Sequence, residues 1–387
     1  MSDGAGAGPA QLERERYLFR WPELPLVTAD LPGTGGSIRV SEDDFQVEEI
    51  PAYLPQGEGT HLYLKVEKRG LTTRDLVLAL TRAGVPEAGI GVAGLKDKAA
   101  LTVQWLSLPR QHEERAQELE AHEGVRVLER GYHRNKLGLG HLRGNRFRIV
   151  VRGAQAGAEQ RAAAVLGALS ERGAPNWFGP QRFGRFGANA FDGIQVLRGV
   201  AVPGGHRLKR FFVSALQSLM FNSMLAERIG LGLYSSVVLG DWARKHDTGG
   251  TFQVEDAEGE SPRAQRLEIS ATLPLFGRKV RPSGGRAGEI ESEVLARYAV
   301  AWSEFSSRRG DRRSSRVLVE SPSVESASGE GTPVAGASGE PGEGGLVLTF
   351  ALPKGSYATA LLREVMKVDI DEPLDGPSGP EAESDEE

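Results

Sequence analysis

The sequence contains no cysteine, and its seven histidines are scattered along the chain. A chain without thiols cannot form a disulfide framework, bind zinc through thiolates or use a cysteine nucleophile. No two histidines have the H-x-x-x-H or H-E-x-x-H spacing of a metalloenzyme, so the sequence does not predict a metal centre. Catalysis by this chain is therefore expected to depend on carboxylates, hydroxyls and organic bases.

Long apolar runs are also missing. No segment reaches the length that crosses a bilayer, and Met1 to Gln11 is small and polar, without the apolar core of a signal peptide. These absences predict a cytoplasmic location. At 387 residues, with 39% hydrophobic residues, the chain exceeds the usual size of one core, so two domains are expected.

Charge is distributed unevenly around the formal net charge of −5. Residues 126–210 carry sixteen Lys or Arg against four Asp or Glu, whereas Asp371 to Glu387 carries eight acids and no base. The basic region, with its interleaved aromatics, indicates a surface for a polyanion, although an arginine-rich solvated face has the same composition. The acidic tail, 371–387, is predicted to be disordered, and 321–345 to be a low-complexity linker.

An acidic residue between two lysines stands out after the glycine-rich turn at Gly91 to Gly94. Asp97 is flanked by Lys96 and Lys98, and the β-branched, aromatic and apolar residues that follow predict a short strand that ends at Pro109. Asp97 is therefore expected at the mouth of a strand, where nearby positive charge favours its ionised form as a nucleophile or base. The alternative is a surface turn with two solvated lysines.

The same stretch contains the spacing G-x-G-x-x-G, from Gly89 to Gly94, which is the fingerprint of a dinucleotide site. That site requires a strand before the glycines and a helix after them. Here Thr72 to Gly84 is predicted to be a helix, and the segment after the glycines is predicted to be a strand. A nucleotide site at this position is therefore rejected.

Hydrophobic periodicity predicts the remaining elements that matter for the site. Three segments are expected to be neighbouring strands of one sheet: 37–40, 45–50 and 60–68. Helices are expected over 158–171, 208–229 and 357–367. The apolar segment from Leu346 to Pro353 is expected to be a strand that rejoins the first sheet.

Two segments have the composition of an RNA-binding surface. The segment 126–152 is rich in arginine and lysine around glycines, and such side chains suit phosphate contacts that position an RNA. The segment Pro175 to Gly184 has two adjacent aromatics beside an amide and a Gly-Pro turn, and aromatics on loops stack on RNA bases. Taken alone, Phe45 is an ordinary core aromatic after a turn.

Four blocks of this sequence resemble motifs of the TruD family of tRNA pseudouridine synthases. The most specific is Gly-Leu-Lys-Asp-Lys-x-Ala-x-Thr-x-Gln-Trp, from Gly94 to Trp105. The others are Arg39-x5-Phe45, the H-x-x-K-L-x-x-G-x-L-x-G-N-x-F pattern that ends at Phe147, and Pro-Asn-Trp-Phe-Gly-Pro-Gln-Arg-Phe-Gly from Pro175. The final block begins at Leu352, and the likeness runs from about Ser37 to Met366 with gaps.

The resemblance implies an α+β fold: a pseudouridine-synthase-type catalytic domain with a mixed, mainly antiparallel sheet, and an inserted α/β TRUD domain. On this basis the catalytic domain comprises 31–201 and 346–370, and the inserted domain 202–335. Residues 1–30 would be an N-terminal extension, partly disordered.

The resemblance also implies an activity, the isomerisation of uridine-13 in the D arm of tRNA to pseudouridine, with tRNA as the partner and without a cofactor. It makes Asp97 the nucleophile or base and Arg39 its basic partner. The target base would be held by the pocket residues Phe45, Asn176, Phe178 and Tyr357. The RNA backbone would be contacted by Arg143, Arg146 and Arg182.

Two other functions remain open at this stage. A non-catalytic tRNA-binding or RNA-remodelling module could use the same pocket, although an intact Asp97 between two lysines favours catalysis. An RNA glycosylase or nuclease is a weaker alternative, and a nuclease is disfavoured because paired carboxylates or metal ligands at useful spacing are missing. The sequence indicates neither the oligomeric state nor the tRNA species.

Overall fold

A computed structural model describes residues 13–96, 98–327 and 345–370. The strands in chain order are β1 Phe45–Pro51, β2 His61–Lys68, β3 Gly91–Val92, β4 Leu101–Pro109, β5 Val125–His133, β6 Leu142–Val151, β7 Ala174–Pro175, β8 Trp242–Lys245, β9 Thr251–Gln253, β10 Ile269–Leu275, β11 Asp311–Ser314, β12 Arg316–Val317, β13 Glu320–Ala327 and β14 Gly345–Pro353. The α-helices are α1 Thr73–Arg82, α2 Gln117–Glu120, α3 Ala158–Arg172, α4 Asn189–Leu197, α5 His206–Gly230, α6 Ala257–Gln265, α7 Gly285–Arg297 and α8 Ala358–Met366.

The larger sheet has eight strands in the order β13-β14-β6-β1-β4-β2-β5, with β3 paired to β4. The pair β1 and β4 is parallel, and the other neighbours in this sheet are antiparallel. Helices α3 and α8 cover one face, where Phe45, Phe147 and Phe350 join their apolar residues in a common core. The predicted α+β fold with a mixed, mainly antiparallel sheet is confirmed.

Two predictions about the first strands were wrong. Residues 37–40 form only an isolated bridge between Ser37 and Arg152, because Arg39 adopts a positive φ of 58° that interrupts an extended chain. The strands β1 and β2 are not neighbours, since β4 lies between them. From Gln104 to Leu108 every side chain of β4 is buried, as expected of a strand in the middle of a sheet.

Strand β14 rejoins the first sheet as predicted. From Leu346 to Pro353 β14 pairs with β6, and Leu348 lies opposite Ile149 while Phe350 lies opposite Phe147. Both strands are buried in this region because helices α3 and α8 pack on the same face. The division into a catalytic and an inserted domain stays a prediction.

The predicted linker over 321–345 is wrong at both of its ends. Ser321 to Ala327 belongs to β13, which pairs with β14 at the edge of the sheet, and Gly345 is the first residue of β14. An edge strand needs few apolar residues because backbone hydrogen bonds hold it on one side, and Val324 packs against the core. The rest of that segment, 328–344, and the predicted tail, 371–387, lie outside the described residues, as do 1–12.

A second, four-stranded sheet has the order β11-β10-β8-β9 and lies against the long helix α5. This helix, predicted over 208–229, is present from His206 to Gly230 and has a largely buried surface. The short pair β12 and β7 connects the segment after the second sheet with the segment before α4. None of the helices within the described ranges is both long and apolar enough to cross a bilayer.

Candidate active site

A cavity of about 270 Å³ opens between the sheet, the turn that follows β3 and the N-terminus of α8. Its walls come from five separate parts of the chain, so only the folded chain assembles it. The lining residues are Arg39, Phe45, Val47, Gly94, Leu95, Lys96, Ala100, Thr102, Leu142, Asn145, Phe147, Gln181, Lys354, Gly355, Ser356, Tyr357, Ala358 and Thr359. The volume is close to the lower end of small-molecule sites, about 300 Å³, so it suits one nucleotide better than a strand.

Asp97 lies outside the described residues, but the backbone before it is described as far as Lys96 and is firmly held. The N–H of Lys96 donates to Thr73 Oγ1 at 2.8 Å, and the carbonyl of Lys96 accepts from the Thr73 N–H at 3.4 Å. The Thr73 hydroxyl donates in turn to Gln104 Oε1 at 2.8 Å. The start of α1 and the centre of β4 therefore fix the turn that leads to Asp97.

The ammonium group of Lys96 is paired with a buried carboxylate that the sequence analysis did not identify. Lys96 Nζ lies 3.2 Å from Glu49 Oε2, and the N–H of Trp105 donates to Glu49 Oε1 at 3.3 Å. Burial raises the pKa of Glu49, while Lys96 and the Trp105 N–H oppose this shift. Because the charge of Lys96 is shared with Glu49, it supports Asp97 less than the sequence suggested. The inward alternation of Phe45, Val47 and Glu49 along β1 could have revealed this carboxylate.

Arg39 and Phe45 form one wall of the cavity. The guanidinium carbon of Arg39 lies 4.2 Å from the centre of the Phe45 ring, and the ring of Phe147 meets Phe45 edge-on at 6.3 Å. Arg39 Nε is buried and has no hydrogen-bond partner in the part of the chain that the structure describes. A stacked guanidinium with an unused donor is thus present at the cavity wall.

Tyr357, at the N-cap position of α8, also lines the cavity, while Phe178 is buried next to it. The two rings are 6.1 Å apart, and Phe178 does not line the cavity. The guanidinium of Arg313, from β11 in the second sheet, lies 4.1 Å from the centre of the Phe178 ring. Phe178 therefore supports the wall from behind in this structure.

Asn176 also lies behind the wall and does not line the cavity. Its Nδ2 donates to the Ser314 carbonyl at 2.9 Å, and its Oδ1 accepts from Nη2 of Arg313. The Asn176 carbonyl accepts from Nε of the same arginine at 3.1 Å. The amide is therefore bonded to β11, and its predicted contact with the base stays a prediction.

Several polar atoms around the cavity lack partners. The atoms Arg39 Nε, Thr102 Oγ1, Asn145 Oδ1 and Thr359 Oγ1 are buried, and none has a hydrogen-bond partner within the described ranges. All four belong to lining residues. Buried polar groups in folded proteins are nearly always paired, so a cluster of unpaired ones at a cavity indicates a binding site. Thr102, Asn145 and Thr359 stand inside three of the motif blocks, but no role at the site was predicted for them.

The three arginines predicted to contact the RNA backbone lie in different environments. Arg143 is exposed, and its carbonyl accepts from the N–H of Lys354, a lining residue, at 3.1 Å. Arg146 lies opposite Glu48 in the β1 and β6 register, on the sheet face away from the cavity, and its Nη1 is 3.5 Å from Glu48 Oε2. Arg182 lies with its guanidinium 5.5 Å from the ring of Phe178.

The described part of the lining is positively charged. It contains the cations Arg39, Lys96 and Lys354 and no Asp or Glu. Across the described ranges, no three His, Cys, Asp or Glu side chains are placed to hold a metal ion. The site therefore offers cations, aromatic rings and uncharged polar groups to a ligand.

Comparisons with known proteins agree in pointing to one family. The family model of tRNA pseudouridine synthase D (TruD) matches residues 23–199 and 202–365. A tRNA pseudouridine synthase D of Thermus thermophilus is 52% identical over 94% of this chain and 98% of that protein. One from Anaeromyxobacter sp. strain Fw109-5 is 48% identical over 94% and 99%. A crystal structure from Methanosarcina mazei, described as a candidate TruD, superposes with a TM-score of 0.70 at 27% identity, covering 89% of this chain and 97% of that one.

Proposed function

The chain belongs to the TruD family of tRNA pseudouridine synthases, which isomerise uridine to pseudouridine in tRNA, and we propose that it acts on uridine-13 of the D arm with Asp97 as the catalytic nucleophile or base. The observation that carries the proposal is the cavity next to the turn that ends at Asp97. Its described lining supplies cations and aromatic rings, and Asp97 is the carboxylate that follows directly in the chain.

The reaction needs no net supply of atoms or electrons. The bond between the ribose C1′ and N1 of uracil breaks, the base turns, and C5 bonds to C1′, while the proton lost from C5 is balanced by one gained at N1. Asp97 either attacks C1′ or removes the proton from C2′, and in both cases the carboxylate is regenerated. An ionised carboxylate is required for either role, and the neighbouring cations favour that form.

The surrounding residues have distinct proposed roles. Phe45 and Tyr357 hold the faces of a uracil that has been flipped out of the folded tRNA. Arg39 is the basic partner of Asp97, and its stacking on Phe45 limits its rotation. Asn176 and Phe178 contribute to the pocket, with Arg313 holding both from the second sheet.

Contacts to the RNA backbone are proposed for Arg143, Arg146 and Arg182. Arg143 has the best support, because its side chain is exposed and its carbonyl accepts a hydrogen bond from the N–H of Lys354, which lines the cavity. A contact through Arg146 requires that the RNA also reaches the far face of the sheet. Arg182 would act closest to the target nucleotide, since it is close to Phe178 and follows the lining residue Gln181.

The activity is tested by incubating the purified protein with unmodified tRNA transcripts and mapping pseudouridine by carbodiimide modification and primer-extension stops. We expect one stop that corresponds to uridine-13, and no stop in a transcript with cytidine at that position. A stop at another uridine would refute the site assignment. Tight tRNA binding without any stop would favour the non-catalytic binding module.

A further inference from the structure

Asn145 is one of the four lining residues that have a buried polar atom without a hydrogen-bond partner in the described part of the chain. It lies on β6, directly opposite Glu49 of β1, on the same sheet face as Phe45 and Phe147. No hydrogen bond to its side chain is present in residues 13–96, 98–327 and 345–370, and its Oδ1 is buried without a partner. A buried amide oxygen left unpaired is destabilising, so this side chain is expected to meet a ligand.

The side chain of Asn176, in contrast to that of Asn145, has its hydrogen-bonding atoms paired. The amide of Asn176 is bonded on both ends, to Ser314 and to Arg313, and does not reach the cavity lining. Asn145 is a lining residue with a free amide. An amide offers one acceptor and two donors side by side, and a half-turn of the group lets either end face a ligand.

On the basis of the proposed function, we propose that Asn145 binds the imide edge of the target uracil and keeps this contact while the base turns. The imide edge of uracil is an N3–H donor between the carbonyl oxygens O2 and O4. Asn145 Oδ1 accepts from N3–H, and Nδ2 donates to one of the flanking carbonyl oxygens. The hydroxyls of Thr102 and Thr359, unpaired on the same cavity, are available to the other carbonyl.

The geometry of isomerisation explains why an amide suits this position. A half-turn of the detached base about the line through N3 and C6 exchanges N1 with C5 and O2 with O4. N3–H lies on that line and stays where it is, and each carbonyl position is again occupied by a carbonyl oxygen. Asn145 would therefore hold the same hydrogen bonds before and after the turn, so the base stays in the pocket while its glycosidic bond is open.

The test combines variants with a substrate that lacks the N3 donor. The tRNA transcripts carry either uridine or 3-methyluridine at the isomerised position, and each nucleoside is labelled with tritium at carbon 5. Release of tritium reports isomerisation of either nucleoside. Wild type, Asn145→Ala, Asn145→Ser and the control Gln46→Ala are compared by kcat/KM. Gln46 is an amide on the opposite face of the same sheet, next to β6. Thermal melts identify variants that fail to fold, and the serine variant replaces the alanine variant in that case.

We expect Asn145→Ala to lower kcat/KM on uridine by about 10- to 100-fold, the loss that corresponds to leaving buried polar groups of the substrate unpaired. Methylation of N3 should lower kcat/KM at least about 10-fold in wild type and in Gln46→Ala. In the two Asn145 variants, methylation of N3 should lower kcat/KM by less than about 3-fold. An equal methylation penalty in all four proteins would overturn the assignment of Asn145 alone. A wild type inactive on every uridine transcript would overturn the proposed function and this inference with it.

Discussion

Arg313 and Asn176 connect the second sheet to the wall of the cavity. Arg313 donates from Nε to the Asn176 carbonyl at 3.1 Å and from Nη2 to the Asn176 side chain, while its guanidinium stacks 4.1 Å from the Phe178 ring. Burial lowers the pKa of Arg313 to about 10, so it remains charged at neutral pH. The second sheet therefore contributes a partly buried cation close to Tyr357, at 6.0 Å from its ring.

Arg313→Lys should lower both stability and turnover. A lysine ammonium cannot reproduce the planar fork that contacts both oxygens of Asn176, so at least one buried group loses its partner. We expect the free energy of unfolding to fall by about 2 kcal/mol and kcat to fall about tenfold or more, measured by urea denaturation and single-turnover isomerisation. Arg278→Lys, on an exposed loop, is the matched control and should change neither. If Arg313→Lys changes neither the free energy of unfolding nor kcat, the contact between Arg313 and Asn176 does not position the cavity wall.

Asp97→Asn should abolish isomerisation and leave tRNA binding intact. The substitution keeps the size of the side chain but removes its charge, and loss of a covalent or proton-abstracting group costs several orders of magnitude in rate. Affinity depends mainly on phosphate contacts elsewhere. Single-turnover pseudouridine formation and a filter-binding isotherm, measured on the same tRNA, separate the two effects.

Asp43→Asn is the control for Asp97→Asn, because Asp43 is an exposed aspartate paired with Arg69 at 2.6 Å. This variant should retain wild-type turnover. Wild-type turnover in Asp97→Asn would remove the catalytic assignment. Loss of binding in Asp97→Asn would instead make the turn part of the RNA-binding surface.

Salt dependence of tRNA affinity should separate the two arginines of β6. Each phosphate contact releases counterions, so removing one flattens the plot of log affinity against log salt by about one unit. We expect this change for Arg143→Ala and a smaller one for Arg146→Ala, since Glu48 already neutralises part of that charge. Filter binding over a series of salt concentrations measures both slopes. If Arg143→Ala and wild type show the same salt slope, Arg143 makes no phosphate contact and is only solvated.

Shortening the chain between β13 and β14 should be tolerated only if β13 is kept. Replacing 328–344 by a short Gly/Ser connector should leave the melting temperature and activity nearly unchanged, because loop length has a weak effect on free energy. Replacing 321–344 removes most of β13 and exposes the backbone edge of β14. We expect that variant to melt several degrees lower and to aggregate, as seen by light scattering. Equal behaviour of the two variants would show that β13 contributes nothing to the sheet.

Acidification should destabilise the protein through His246. Burial, followed by the positive charges of Arg316 and Arg244, lowers the pKa of His246 from 6.5 to about 4. Between these values the unfolded chain binds a proton that the folded chain does not, so stability is lost as the pH falls from 6.5 towards 4. Because the ring is only partly buried, we expect a loss of about 2 kcal/mol. Urea denaturation at several pH values should show this extra loss in wild type but not in His246→Gln.

The elements with a strong local signal were predictable. Thr72 and Asp75 form the capping box that starts α1, and the apolar run from Leu346 identified β14 together with its return to the first sheet. The order of strands was not predictable, because the central position of β4 depends on burial of both its faces. The edge strand β13 was missed because its pairing uses backbone hydrogen bonds, which leave little trace in composition.

The site was predictable where a motif names residues and not where the fold brings them together. Arg39, Phe45 and Tyr357 line one cavity, as a shared pocket requires. Glu49 and Thr73 belong to none of the quoted motifs, and their positions follow from strand register and from the contact between α1 and β4. Asn145 stands in a motif, but only the register of β6 places it in the cavity.

The position of β14 in the sheet has a consequence for synthesis of the protein. A ribosome makes β14 only after β6 and the entire second sheet, since 193 residues lie between Val151 and Gly345. Until β14 is made, one backbone edge of β6 has no partner strand, while α5 and the strands of the second sheet can already pack together. A nascent chain is thus expected to mature from its middle outwards, and the cavity, which needs Tyr357, forms only after β14 has been made.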